Sequence, residues 1–123
     1  MKTSSAKAKG RRLQNHVAQR LRALLALSED DIRPQLMGGT GVDILLSSRA
    51  KQLFPLAIEC KNQESLNIWA ALKQASQNTK GGEAPAVVFT RNREKKTYIA
   101  LDFEDFLYLL LRWGHGPINK EEA

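Results

Sequence analysis

Three charged side chains sit inside stretches that otherwise read as apolar strands. Asp43 interrupts Gly39-Thr40-Gly41-Val42-Asp43-Ile44-Leu45-Leu46, while Glu59 and Lys61 close Phe54-Pro55-Leu56-Ala57-Ile58-Glu59-Cys60-Lys61. An ionised carboxylate among apolar neighbours is costly unless it is paired or holds a metal. Two carboxylates and a strand carbonyl make a hard-oxygen donor set, which suits Mg²⁺ and leaves room for water and a phosphate. A lysine beside them can orient an attacking water or offset charge developing on phosphorus. Glu59 and Lys61 alone would read as a surface pair on an edge strand, because Glu-x-Lys is common by accident. The apolar context and the upstream Gly41-Val42-Asp43 favour the metal site.

These groups need elements to position them. Strand side chains alternate between faces, so Glu59 and Lys61 share one face while Ile58 and Cys60 take the other. The polar stretch from Ser47 to Gln52 predicts an antiparallel hairpin with a loose loop, which sets Asp43 opposite Glu59. Leu13, Val17, Leu21, Leu24 and Leu25 recur at helical spacing and predict a first helix from about Gly10 to Leu27. Ile32 to Met37 reads as a short edge strand broken by Pro34. A second helix is expected from about Leu66 to Asn78, with Ile68, Trp69, Leu72 and Ala75 facing the core. Ala86 to Thr90 and Tyr98 to Leu101 read as neighbouring strands. Asp102 is placed to cap a last helix from Phe103 to Trp113, with Glu104 and Asp105 in its first turn. That helix is apolar nearly all round, so one face should meet the domain and another a second copy, giving a homodimer. Gly114 is expected to stop it.

Gly41-Val42-Asp43, fifteen residues, then Glu59-Cys60-Lys61 resembles the signature of the PD-(D/E)XK nuclease superfamily. Within it, the chain is similar to compact Holliday-junction resolvases and small phage-type endonucleases, over about Leu13 to Leu111. The resemblance implies an α/β restriction-endonuclease-like core of order αβββαβ, a mixed central sheet flanked by helices, here with an extra C-terminal helix. It implies Asp43, Glu59 and the carbonyl of Cys60 as ligands to Mg²⁺ or Mn²⁺, Lys61 as the catalytic lysine, and Gln74 on the second helix near the site. Val42 stands where the family name has proline. Many members carry a glutamate on the first helix, where this chain offers Gln14, Asn15 and Gln19.

The charge is unevenly spread. Nineteen Lys and Arg against thirteen Asp and Glu give a net +6. Residues 1–22 hold seven cations and no acid, so the remaining 101 residues sum to −1. Such a segment favours a polyanionic partner, with binding that weakens as salt rises. Lys9, Arg11, Arg12 and Arg20 are therefore candidate DNA contacts, as are Arg91, Arg93, Lys95 and Lys96 in the loop between the last two strands. Gly39 and Gly41 would let the backbone approach a nucleic-acid strand or make a tight turn. They are not a phosphate-cradling P-loop, since no Gly-Lys-Ser/Thr follows.

At 123 residues the chain reads as one domain over 10–113, with a flexible basic arm at 1–9 and a flexible tail at 114–123. No apolar run approaches the ~20 residues of a membrane span. The single cysteine, Cys60, has no internal disulfide partner and reads as a core residue. No signal-peptide pattern is evident, so the expected location is the cytoplasm of a bacterial or phage-infected cell. The reading that unites these features is a Mg²⁺-dependent endodeoxyribonuclease acting on duplex or branched DNA. Two others remain open: a nuclease-fold module that grips DNA or a partner through a vestigial site, and a small dimeric protein that binds nucleic acid by charge alone.

Overall fold

The structure, a computed structural model, describes residues 2–36 and 38–115. Its elements run α1 (Lys2–Leu25), β1 (Ile32–Pro34), β2 (Ile44–Leu46), α2 (Ser48–Leu53), β3 (Leu56–Asn62), α3 (Ile68–Asn78), β4 (Ala84–Thr90), β5 (Tyr98–Leu101) and α4 (Phe103–Leu110). A π-helical turn, Leu111–His115, follows α4. The class is α/β, with a mixed three-stranded sheet ordered β3-β4-β5 and a separate antiparallel pair β1-β2. β3 and β4 run parallel across the α3 crossover, and β5 returns antiparallel on β4. Continuous burial at Leu56–Cys60, apolar but for Glu59, and at Ala86–Val88 suits strands covered on both faces.

Two helices supply that cover. Leu13, Val17, Ala18 and Leu21 of α1 pack with Ile58, Cys60, Ala86 and Val88, and the same cluster takes in Ile32 and Ile44 of the small sheet. On the opposite face Ala71 and Ala75 of α3 close over Val87. Strand alternation therefore sends Ile58 and Cys60 toward α1 and leaves Glu59 on the α3 side.

Several expectations are corrected. Residues 47–52 are not a loose hairpin loop. Ser47 accepts the Ala50 amide at 3.1 Å and caps α2, whose Arg, Ala, Lys, Gln and Leu all favour helix. β2 then pairs with β1 in register Ile32↔Leu46, Arg33↔Leu45, Pro34↔Ile44, and it forms no ladder with β3. α1 begins at Lys2, so helix occupies residues 2–9, where a flexible arm was expected. Ala6, Lys7, Ala8 and Lys9 favour helix enough to carry Gly10, which costs about 1 kcal/mol relative to Ala. Trp69, expected in the core, is 79% exposed, and Ala71 takes the buried position. Gly114 lies within the π-helical turn rather than ending a helix. Residues 116–123 of the expected tail lie outside the described residues. No helix among the described residues is long and apolar enough to cross a membrane.

The last helix is capped as expected, with Asp102 accepting the Asp105 amide at 2.9 Å. Its buried residue is Leu109, while Phe103, Phe106, Leu107, Leu110 and Leu111 remain 38–68% exposed. At 100° per residue these five form one stripe. Trp113 anchors the far end by stacking on Phe54 at 6.2 Å and donating to the Leu53 carbonyl at 3.2 Å.

Candidate active site

Asp43 stands immediately before β2 and acts as the pivot between the two sheets. Its amide donates to the Ile58 carbonyl at 2.9 Å, and its carbonyl accepts the Gln35 amide at 2.8 Å. A residue in a regular strand turns both groups to one neighbour. Asp43 turns them to two, bringing β2 beside β3 at one row without a ladder. Its Oδ2 then accepts the Cys60 amide at 2.7 Å. The Ile58 carbonyl and the Cys60 amide thus both leave the β3 edge that faces Asp43, and the Cys60 carbonyl leaves that same edge.

Glu59 reaches the same point from the α3 face. It is 5% exposed, and its Oε1 accepts from Asn78 Nδ2 at 3.1 Å. Its Oε2 lies 3.9 Å from Lys61 Nζ. Asp43 and Glu59 come within hydrogen-bonding reach of each other. Burial raises both carboxyl groups above the ordinary range, and the Asp43 charge raises Glu59 further. The Cys60 amide and the Lys61 charge pull Asp43 partly back, as Asn78 and Lys61 do for Glu59. Lys61 thus acts on both acids, while Lys7 and Arg11 line the cleft on the other side of Asp43. Two carboxylates and a strand carbonyl form a set that fits a hard divalent cation. Among the described residues no group of three or more His, Cys, Asp or Glu side chains could hold a metal, so water and substrate would complete the shell. The Cys60 thiol is buried on the α1 face and pushed well above its usual range by that burial.

A cleft of about 230 Å³ opens onto Asp43. Lys7, Arg11 and Gln14 of α1 line one side, and Gly38 and Gly39 the other. Positive φ at Gly38 (78°) and Gly41 (92°) turns the connecting loop in a conformation that disfavours side chains. Gln35 braces it, donating from Nε2 to the Thr40 carbonyl at 3.1 Å. Gln14 is thus the first-helix residue beside Asp43, whereas Asn15 and Gln19 are exposed elsewhere.

The remaining candidates are dispersed. Gln74 is exposed on α3, and the α3 side chain that meets Glu59 is Asn78, one turn later. Arg11 and Gly39 belong to the Asp43 cleft, and Gly41 lines an adjoining hollow with Asn78 and Lys80. Arg20, Lys95 and Lys96 share a groove on another side of α1. Lys9 is half-buried with its carbonyl accepting from Asn62 Nδ2, and Arg12 is exposed. Arg91 pairs with Glu94 at 3.8 Å, and Arg93 takes the positive-φ position (66°) of the same loop. Asn78 and Gln35 were not singled out in the sequence. Asn78 carried a usable signal, since it lies one helical turn beyond Gln74. Gln35 carried none, being a polar residue beside a proline. Comparison with protein-family models, curated proteins and solved structures finds no match to this chain.

Proposed function

We propose that the chain is a metal-dependent DNA endonuclease built on a restriction-endonuclease-like core, with Asp43, Glu59 and Lys61 as its working groups. One observation carries this reading: Asp43, half-buried at a cleft walled by Lys7 and Arg11, lies beside the buried Glu59 and its partner Lys61, which approach it from β3. Two carboxyl groups set beside each other and desolvated are costly for a purely structural role. Asp43, Glu59 and the Cys60 carbonyl would hold the cation. When bound, Mg²⁺ or Mn²⁺ supplies Lewis acidity toward the phosphate and offsets charge that develops there. Asn78 holds the Glu59 carboxylate in place. The Lys61 ammonium, held near Glu59, orients the attacking water or stabilises the phosphorane-like charge. Lys7 and Arg11 seat the flanking phosphates. Branched DNA is the favoured substrate by resemblance alone.

The neutral Gln14 beside Asp43 favours a second reading, a nuclease-fold module that binds DNA or a partner without turnover. Incubating labelled DNA with Mg²⁺ or Mn²⁺ separates the two, because only the endonuclease shortens it.

A second copy of the chain is placed on the α4 stripe. Phe103, Phe106, Leu107, Leu110 and Leu111 have the i, i+3, i+4, i+7, i+8 spacing of a helix-pairing seam, and all five are exposed. A two-fold axis across the seam would set two α4 helices antiparallel. The acidic first turn (Asp102, Glu104, Asp105) then meets the end that carries Arg112 on the other copy.

A further inference from the structure

We infer that the groove between α1 and the β4–β5 loop is a second phosphate-backbone site, which holds the nucleic acid away from the Asp43 cleft. His16 and Arg20 form one wall, Lys95 and Lys96 the other, and Val17 and Leu21 the floor, around a volume of about 430 Å³. No acid lines it. Among the described residues no carboxylate lies within ion-pairing distance of Arg20, Lys95 or Lys96, all three of them exposed. Three cations from two elements, Arg20 facing Lys95 and Lys96, repel one another, and a polyanion relieves that repulsion. The loop wall is held in place: Thr90 Oγ1 donates to the Lys96 carbonyl at 2.9 Å, and the Asn92 amide donates to Glu64 at 2.6 Å.

Position along α1 says what the polyanion is. Arg11 serves the Asp43 cleft and Arg20 the groove, nine residues on, which is about 14 Å along the axis at 1.5 Å per residue and, at 3.6 residues per turn, about half a turn around α1. An isolated phosphate cannot reach both, whereas a sugar-phosphate backbone that wraps around α1 can. The direction of that strand rests on the nuclease reading of the Asp43 cleft. The groove itself does not depend on turnover.

The test is fluorescence anisotropy of the full chain with a labelled 20-base-pair duplex in EDTA, from 50 to 200 mM KCl. The variant Arg20→Ala/Lys95→Ala/Lys96→Ala is compared with Arg33→Ala/Arg49→Ala/Lys73→Ala, which removes three exposed cations elsewhere. The groove variant should weaken binding at least tenfold at 150 mM KCl and lower the salt slope by roughly 2 to 3, at about 0.9 per phosphate contact. The control should weaken it less than threefold. Equal losses in both variants would overturn the groove and leave only net charge. Binding of wild type to phosphatidylserine vesicles but not to duplex would overturn the nucleic-acid assignment. Tenfold weakening by the groove variant in a protein that never cuts DNA would support the groove and count against the nuclease reading alone.

Discussion

At the scale of single residues, the central fact is that Glu59 is almost wholly buried beside Asp43, with the Lys61 ammonium 3.9 Å from it. Folding raises both carboxyl groups chiefly by desolvation, so the folded state binds protons more tightly than the unfolded one. The pair's own contribution to stability in EDTA is therefore fully present below the ordinary carboxylate range near 4 and is lost as pH rises through the raised folded-state values. Glu59→Gln keeps the oxygen that accepts from Asn78 and removes the charge. Its melting midpoint in EDTA at pH 7 should rise by about 3–5 °C, corresponding to about 1 kcal/mol. Mg²⁺ should raise the midpoint of wild type and not that of the variant, because a ligand stabilises only the state that binds it. An unchanged or lower midpoint in EDTA would mean that the acids are compensated by other groups. Lys61→Ala should fold normally and lose about 10²-fold or more in cleavage, by analogy with the removal of one preorganised charge-stabilising donor. Wild-type cleavage by that variant would remove Lys61 from the mechanism. These three residues were legible in the sequence because charges inside apolar strands demand a partner. Asn78 was harder to find, since its role depends on how α3 lies across β3.

At the scale of elements, the site depends on small pieces that anchor one another. α2 is six residues long and could not persist alone, since helices that short are marginal in water. Ser47 fixes it from both sides, accepting from Ala50 and donating to Asp31 Oδ1 at 2.6 Å. Ser47→Ala should cost about 1–2 kcal/mol by urea titration, more than the typical cap alone, because the Asp31 bond goes with it. A loss below a few tenths of a kcal/mol would show that packing of Ala50 alone holds α2. Ser47-Ser48-Arg49-Ala50 carried this cap-and-helix signal openly, yet the polar composition of the stretch reads equally well as a hairpin loop. The β3–α3–β4 crossover was legible in outline, as two apolar runs joined by a helical stretch. The face of α3 was not: Trp69 and Ala71 both fit a helical stripe, and it is Ala71 and Ala75 that α3 sets against Val87 of the sheet. In α1, a glycine at position 10 invites a boundary that the flanking helix formers override.

At the scale of the whole molecule, the basic clusters and the apolar α4 stripe lie on different elements. Basic groups collect along α1 and the β4–β5 loop, whereas the uncovered apolar stripe lies on α4. The apolar character of α4 was plain in the sequence. Which side would stay open was not, because that depends on Leu109 alone turning into the core. Light scattering at tens of micromolar should give the mass of a dimer, and Leu107→Glu/Leu110→Glu should give a monomer with an unchanged fold by circular dichroism. A monodisperse wild-type monomer would contradict the α4 seam. A dimer would hold two Asp43 clefts at fixed separation, which suits a substrate cut on both strands. The claim on which the rest hangs is metal-dependent hydrolysis at Asp43 and Glu59. The most direct measurement is cleavage of labelled linear duplex, single-stranded, flapped and four-way-junction DNA with Mg²⁺, Mn²⁺ or EDTA, wild type beside Asp43→Ala. Cutting that needs the metal and disappears in Asp43→Ala is the predicted result. Binding without cutting, unchanged in Asp43→Ala, would contradict the account.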